Sequence, residues 1–220
     1  MNWTAELDLY CERLGPGLGA EPWNALSNLG FAVAAIVIAV RFHRAGWDLR
    51  LLAGLVGLVA VGSATFHTVA QLWAAWMDLI AIAVFIWVYL QRLLVRGAGL
   101  SNGRAIAAVI VYAVISRLVE TAAPPGTWNG SIAYLPAATT LIVVTVWIAI
   151  RRRTALAPFA AAAGLFAVSL TLRTADAALC TAWPLGTHWL WHLLNALVLY
   201  LLVAGLVRVS AATTAPGARL

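Results

Sequence analysis

The chain has 220 residues, of which 63% are hydrophobic and only 10% charged, and its mean hydropathy is +0.91. No soluble core needs that much apolar sequence, which excludes a water-soluble protein and leaves a polytopic membrane protein. The formal charge of +6 sets fourteen basic residues, all arginine, against eight acidic ones; without a lysine there is no Schiff base, so a retinal-binding seven-helix protein is excluded too. Most arginines fall in short loops between apolar runs. That is a topology signal and not a nucleic-acid surface, so neither a nucleic acid nor an obligate protein partner is expected.

The opening segment, 1–8, is acidic and lacks the basic-then-apolar pattern of a secretory signal. Seven apolar runs follow, at 24–41, 51–67, 73–94, 104–120, 132–150, 158–172 and 189–207. Each is close to the ~20 residues a helix needs to cross a bilayer. The expected fold is all-α, a single seven-helix membrane domain over 1–210 with a short tail over 211–220.

Arginine placement predicts the orientation. Arg41, Arg44 and Arg50 flank the first loop, Arg92, Arg96 and Arg104 the third, and Arg151, Arg152 and Arg153 form the fifth; Arg208 and Arg219 follow the last run. The positive-inside rule makes that side cytoplasmic. Glu6, Asp8, Glu12, Glu21, Asp78, Glu120 and Asp176 fall on the other side. The N-terminus is therefore expected outside and the C-terminus in the cytoplasm. Most of the tryptophans near the outer ends read as an interfacial belt.

This topology brings five polar side chains to similar depth near the outer leaflet. Ser63 and His67 end the second run, Asp78 opens the third, and His188 and His192 open the seventh. Ionisable groups in a bilayer are costly and usually mark a site. His188 and His192 are spaced i, i+4 and share a helix face. With His67 at matching depth they read as three imidazole ligands of a zinc centre with an open position. Histidines hydrogen-bonding loops and lipid heads are the plainer alternative, the better reading for the isolated His43. Ser63 lies one turn from His67, where it either donates to an oxyanion or, with Gly62 and Ala64, permits close helix packing. Asp78 needs a partner, either at a metal site or in a salt bridge to Arg117 or Arg173.

Glu12 and Glu21 flank a Gly- and Pro-rich loop, 13–20. With Asp8 they offer hard oxygen ligands that suit calcium, though from spacing alone a solvated acidic loop is the better reading. Cys11 and Cys180 are the only cysteines. Both fall on the outer side, where disulfides persist, and a bridge between them is expected.

These motifs carry a resemblance. Tyr10-Cys11-Glu12, Glu21-Pro22-Trp23-Asn24-Ala25-Leu26-Ser27-Asn28, Ser63-Ala64-Thr65-Phe66-His67, Asp78 and Gly186-Thr187-His188-Trp189-Leu190-Trp191-His192 together look like the alkaline ceramidase family, over residues 8 to about 200. That family belongs to a superfamily of seven-helix membrane hydrolases. The resemblance implies zinc on His67, His188 and His192, Ser63 as transition-state stabiliser and Asp78 as the proton-handling group. It also implies calcium near the N-terminus, on Glu12 and Glu21 with Asp8 and the backbone at Tyr10. The chain departs from the eukaryotic pattern there: Leu9 stands where an aspartate is usual, Leu14 replaces an asparagine, and the loop to Glu21 is shorter. The implied activity is hydrolysis of the N-acyl amide of ceramide or a related lipid. A zinc-containing lipid receptor without turnover, or a lipid esterase or acyltransferase, remains open at this point. Asp78 discriminates between them, since a pure sensor needs no base beside its metal. The arginine-only, alanine-rich composition suggests a high-GC bacterium, hence an inner-membrane protein with its site on the periplasmic side.

Overall fold

The computed structural model describes residues 2–214. Position 1 and positions 215–220, which include most of the expected tail and Arg219, lie outside the described residues. The described chain is helical throughout, apart from loops and one isolated bridge between Glu6 and Gln71. Seven helical stretches are long and apolar enough to cross a membrane: Pro22–Arg41, Trp47–Val69, Leu72–Ala98, Asn102–Thr121, Thr127–Arg151, Arg153–Leu179 and His188–Ser210.

The first stretch is two helices, α1 (Pro22–Ser27) and α2 (Leu29–Arg41), joined at Asn28. Pro22 suits the first turn of α1 because it has no N–H to leave unsatisfied. The next two N–H groups, of Trp23 and Asn24, donate to the two carboxylate oxygens of Glu12 at 2.6 and 2.8 Å. Glu12 thus caps α1 from a distant part of the chain, where an anion also complements the helix dipole. Burial raises the pKa of Glu12, and those two backbone bonds oppose the rise.

The remaining helices are α3 (Trp47–Val69), α4 (Leu72–Ala98), α5 (Asn102–Thr121), α6 (Leu135–Arg151), α7 (Leu156–Leu179) and α8 (His188–Thr214). A 3-10 segment, Thr127–Tyr134, leads into α6. Leu52, Val56, Phe85, Phe159, Val203 and Leu206 are among the core residues of α3, α4, α7 and α8. Lying outside this core, α5 buries only Ala105 and exposes Ile106, Ile110, Val111, Val114, Ile115 and Leu118. Such a face suits lipid and not water.

Several helices run past the apolar stretches read from sequence, because polar residues at their ends are satisfied by neighbours. The sixth run was expected to stop at Leu172, yet α7 continues to Leu179 through Arg173 and Asp176. Asp176, fully buried, accepts from the backbone N–H groups of Cys11, Thr187 and His188 at 3.1, 2.6 and 3.0 Å. α3 likewise starts early, at Trp47, with Asp48 fully buried. Arg92 bonds Asp48 at 2.8 Å and Arg96 bonds it too, which ties α3 to α4 at the arginine-rich end. α8 extends to Thr214, into the segment expected as a tail.

Candidate functional site

Three helices and the N-terminal segment meet at the end opposite the arginine cluster. α3 supplies Ser63 and His67, α4 supplies Asp78, and α8 supplies His188 and His192. Gly62 permits the α3–α4 approach: a Cβ there would sit 3.2 Å from both the Asp78 Cα and the Met77 carbonyl oxygen. The small-residue packing role and the placement of Ser63 beside Asp78 are therefore one feature. Ser63 and Asp78 line the same cavity.

His67, His188 and His192 are 1%, 3% and 2% exposed. One ring nitrogen from each lies within 4.8 Å of the others, close enough to share one ion. The outward faces of the rings are held in three different ways. His67 Nδ1 contacts Glu21 Oε2 at 2.6 Å. His192 Nδ1 contacts Ser27 Oγ at 2.7 Å. His188 stacks on Tyr10, with ring centroids 3.7 Å apart. A partner on one imidazole nitrogen fixes ring orientation and directs the other nitrogen at a metal.

Two of the remaining nitrogens, His67 Nε2 and His188 Nδ1, are buried with no hydrogen-bond partner. Bare polar atoms of this kind cost about 1–3 kcal/mol each, and three convergent imidazoles are the donor set that suits zinc. The histidines thus fit a metal. The Oδ1 atom of Asp78 is also buried and unpartnered. No salt bridge joins Asp78 to Arg117 or Arg173, the alternative its position left open; Arg117 pairs with Glu120 at 2.8 Å instead.

The residues expected around calcium are arranged for something else. Both Glu12 oxygens are occupied by the backbone of α1. Glu21 contacts Arg13 Nε at 2.6 Å, His67 at 2.6 Å and Asn24 Nδ2 at 3.1 Å. Burial alone would raise the Glu21 pKa, but the bonds and charge of His67, together with Arg13 and Asn24, hold it below the usual carboxylate range. Asp8 is exposed, and Tyr10 faces His188. Two buried amide oxygens nearby in sequence, of Asn24 and Asn28, have no partner. A cation entering here would find those acceptors but would have to displace the Arg13 guanidinium from Glu21. As they stand, the four residues do not fit calcium, because Arg13 already supplies the positive charge.

The N-terminal segment is anchored where it reaches the site. Cys11 and Cys180 form a disulfide with Cα atoms 5.0 Å apart, as expected. Asp176 binds the Cys11 N–H and the first N–H groups of α8, so one carboxylate aligns both the segment bearing Tyr10 and the helix bearing two histidines. Gly186 makes room for it: its φ is +65°, and a Cβ there would overlap the Asp176 carboxylate. A side chain at this position would be both strained and clashing.

Ser63, Asp78, His188 and His192 line one small polar cavity, together with Tyr10 and Arg173. A larger apolar cavity adjoins it. Phe31, Val59, Ile82, Tyr134 and Trp191 border both. The apolar cavity continues between the helices as far as Leu93, toward the arginine-rich end. A family model described as Ceramidase matches residues 4–219.

The chain belongs to the ceramidase family.

No curated protein matches the chain. Membership implies a hydrolase acting on amide bonds, and the resemblance read from the motifs points the same way. In this ceramidase-family protein sequence reasoning missed the supports of the site: Glu21 and Ser27 behind two histidines, Tyr10 against the third, and Arg173 and Asp176. Glu21 and Ser27 lie inside the quoted motif at the start of the first span. Arg173 and Asp176 carried a signal, being charged residues just past a short apolar run, but Arg173 read as an alternative partner of Asp78 and Asp176 as one of the outer-side acids.

Proposed function

We propose that the protein is an intramembrane zinc amidohydrolase. It would cleave the N-acyl amide of ceramide or a related N-acyl lipid to a free fatty acid and a long-chain amine, at the outer face of a bacterial inner membrane. The observation that carries this reading is the pair of adjoining cavities beside the three-histidine cluster: His188, His192 and the Asp78 carboxylate line the polar one, and apolar walls long enough for an acyl chain line the other.

His67, His188 and His192 would hold the metal. When bound, zinc supplies Lewis-acid polarisation of the scissile carbonyl and lowers the pKa of the attacking water toward ~7. The acyl chain lies among Phe31, Val59 and Ile82, which brings the amide to the polar end and excludes bulk water. Asp78 accepts the proton of the attacking water and returns it to the amide nitrogen as the C–N bond breaks. One water is consumed, and its oxygen leaves in the fatty acid. Ser63 donates to the carbonyl oxygen as negative charge develops there, worth ~3 kcal/mol in comparable sites.

The test is purified protein with a panel of N-acyl sphingoids and N-acyl amines, with and without a chelator, and mass spectrometry of the products. Fatty-acid release that stops on chelation and returns with zinc is the expected result. His188→Ala should lose most of about one zinc per chain. A zinc-loaded protein that binds these lipids and releases nothing from any of them would be a sensor and not a hydrolase.

A further inference from the structure

Arg173 is the one charged residue of the polar cavity that neither the metal site nor the proposed proton transfer uses. Cations at this depth in a membrane protein are costly and ordinarily pair with an anion. Among the described residues Arg173 has no salt bridge. Its guanidinium is instead fixed by neutral groups. Nη1 donates to the Asn129 carbonyl and to Ser131 Oγ at 3.2 Å. Asn129 Nδ2 donates back to the Arg173 carbonyl at 2.9 Å. That clamp holds a strained segment, since Trp128 and Asn129 have φ of 52° and 53°. The cation also sits over the rings of Tyr134 and Trp191, at 5.1 and 5.7 Å, and Tyr10 lines the same cavity.

All these partners position the group without neutralising it. Its Nε remains buried and unpartnered. Asp78 shares the cavity but reaches it from α4, on the side of Ser63, and no ion pair joins the two. The result is a rigid guanidinium with an unused donor, lining the chamber that His188 and His192 also line and bordered by the two rings, Tyr134 and Trp191, where the polar cavity meets the apolar one. A planar guanidinium offers the fork geometry that a carboxylate accepts.

We infer that Arg173 is the carboxylate-binding residue of this cavity. The inference rests on the amidohydrolase reading for the source of the ligand. Two sources share the chemistry: the fatty acid that every N-acyl substrate releases, and the headgroup of an N-acyl amino acid. Neutral ceramide carries no carboxylate until it is cleaved.

The experiment uses the full-length, zinc-loaded protein in detergent. Binding of oleate and of oleyl alcohol, a neutral analogue of the same length, is measured for wild type, Arg173→Gln and Arg173→Lys. Arg173→Gln should weaken oleate by roughly 10- to 100-fold, the scale of a hydrogen bond to a charged group, and leave oleyl alcohol nearly unchanged. Arg173→Lys should recover part of the oleate affinity, which also serves if the glutamine variant does not fold. Equal losses for both ligands, or no loss for either, would overturn the inference and leave Arg173 as a clamp for the 3-10 segment. Turnover of N-oleoylglycine against N-oleoylethanolamine separates the sources. A kcat/KM ratio that falls in Arg173→Gln identifies the headgroup carboxylate; an unchanged ratio with weaker oleate inhibition identifies the product. Because binding is measured without turnover, oleate selectivity that depends on Arg173 in a protein that hydrolyses nothing would sink the hydrolase reading alone.

Discussion

Glu21 and His67 stand 46 residues apart in sequence, yet Oε2 of one lies 2.6 Å from Nδ1 of the other. Both side chains are 1% exposed. Glu21 also contacts Arg13 and Asn24, so a single carboxylate ties the N-terminal loop, the start of α1 and the end of α3 to one ring of the histidine cluster. A carboxylate behind a ligating histidine fixes its tautomer and raises its basicity.

That relationship predicts the effect of Glu21→Gln. The amide keeps the shape of the side chain but removes the charge that orients His67. Zinc affinity should fall by about 10- to 100-fold, the usual scale for losing such a support. Competition with a graded chelator measures it. Glu12→Gln is the control, because the hydrogen bonds of Glu12 come from the backbone of α1 and not from a histidine; if both variants bind zinc like wild type, Glu21 is merely a loop anchor.

Asp78→Asn and Ser63→Ala should separate chemistry from metal binding. Neither residue belongs to the histidine cluster, so both variants should hold zinc normally. Asp78→Asn removes the base and should lose at least ~100-fold in amide hydrolysis, within the ~10²–10⁴ typical of general acid–base groups. Ser63→Ala should lose ~10²–10³ through the missing oxyanion donor. Single-turnover rates on zinc-quantified protein decide the matter, and an Asp78→Asn enzyme of near wild-type rate would remove Asp78 from the mechanism.

The Cys11–Cys180 bridge closes a loop of 169 residues in sequence separation. Cys11→Ser should lower stability by about 2–4 kcal/mol, seen as a lower melting temperature that added reductant does not lower further. Tyr10 adjoins Cys11 and stacks on His188, so the same variant should also hold zinc less tightly. Unchanged zinc affinity in a destabilised Cys11→Ser protein would show that the Tyr10–His188 stack stands without the bridge.

The arginine count predicts which side of the membrane the site occupies. A reporter active only in the cytoplasm should be active when fused after Leu220, and a cysteine-reactive impermeant label should reach a cysteine introduced at Glu6 in intact spheroplasts. The opposite pattern would put the histidine cluster on the cytoplasmic side.

Much of this protein is legible in one dimension because bilayer crossing is a local property. A helix that satisfies its own backbone and presents apolar side chains to lipid leaves its mark in consecutive residues. Hence the seven spans, the i, i+4 placement of His188 and His192, and the sharing of one depth by His67, Ser63 and Asp78 are all readable from residue order. The cysteine pair was readable for a similar reason: two thiols on one side leave only one possible intramolecular bridge. What residue order does not determine is who partners a buried polar group. Glu21 looks like a cation ligand until α1 and α3 are packed together and its oxygens are found on His67 and Arg13. Ser27 and Tyr10 carry no hint that they hold His192 and His188. Arg173 and Asp176 look like the end of a helix until the Asn129 segment and the start of α8 fold over them. Each of these roles depends on atoms contributed by distant segments, because a charge or imidazole inside a membrane protein is tolerated only where a neighbouring element supplies its hydrogen bonds. Only the tertiary packing brings those neighbours together.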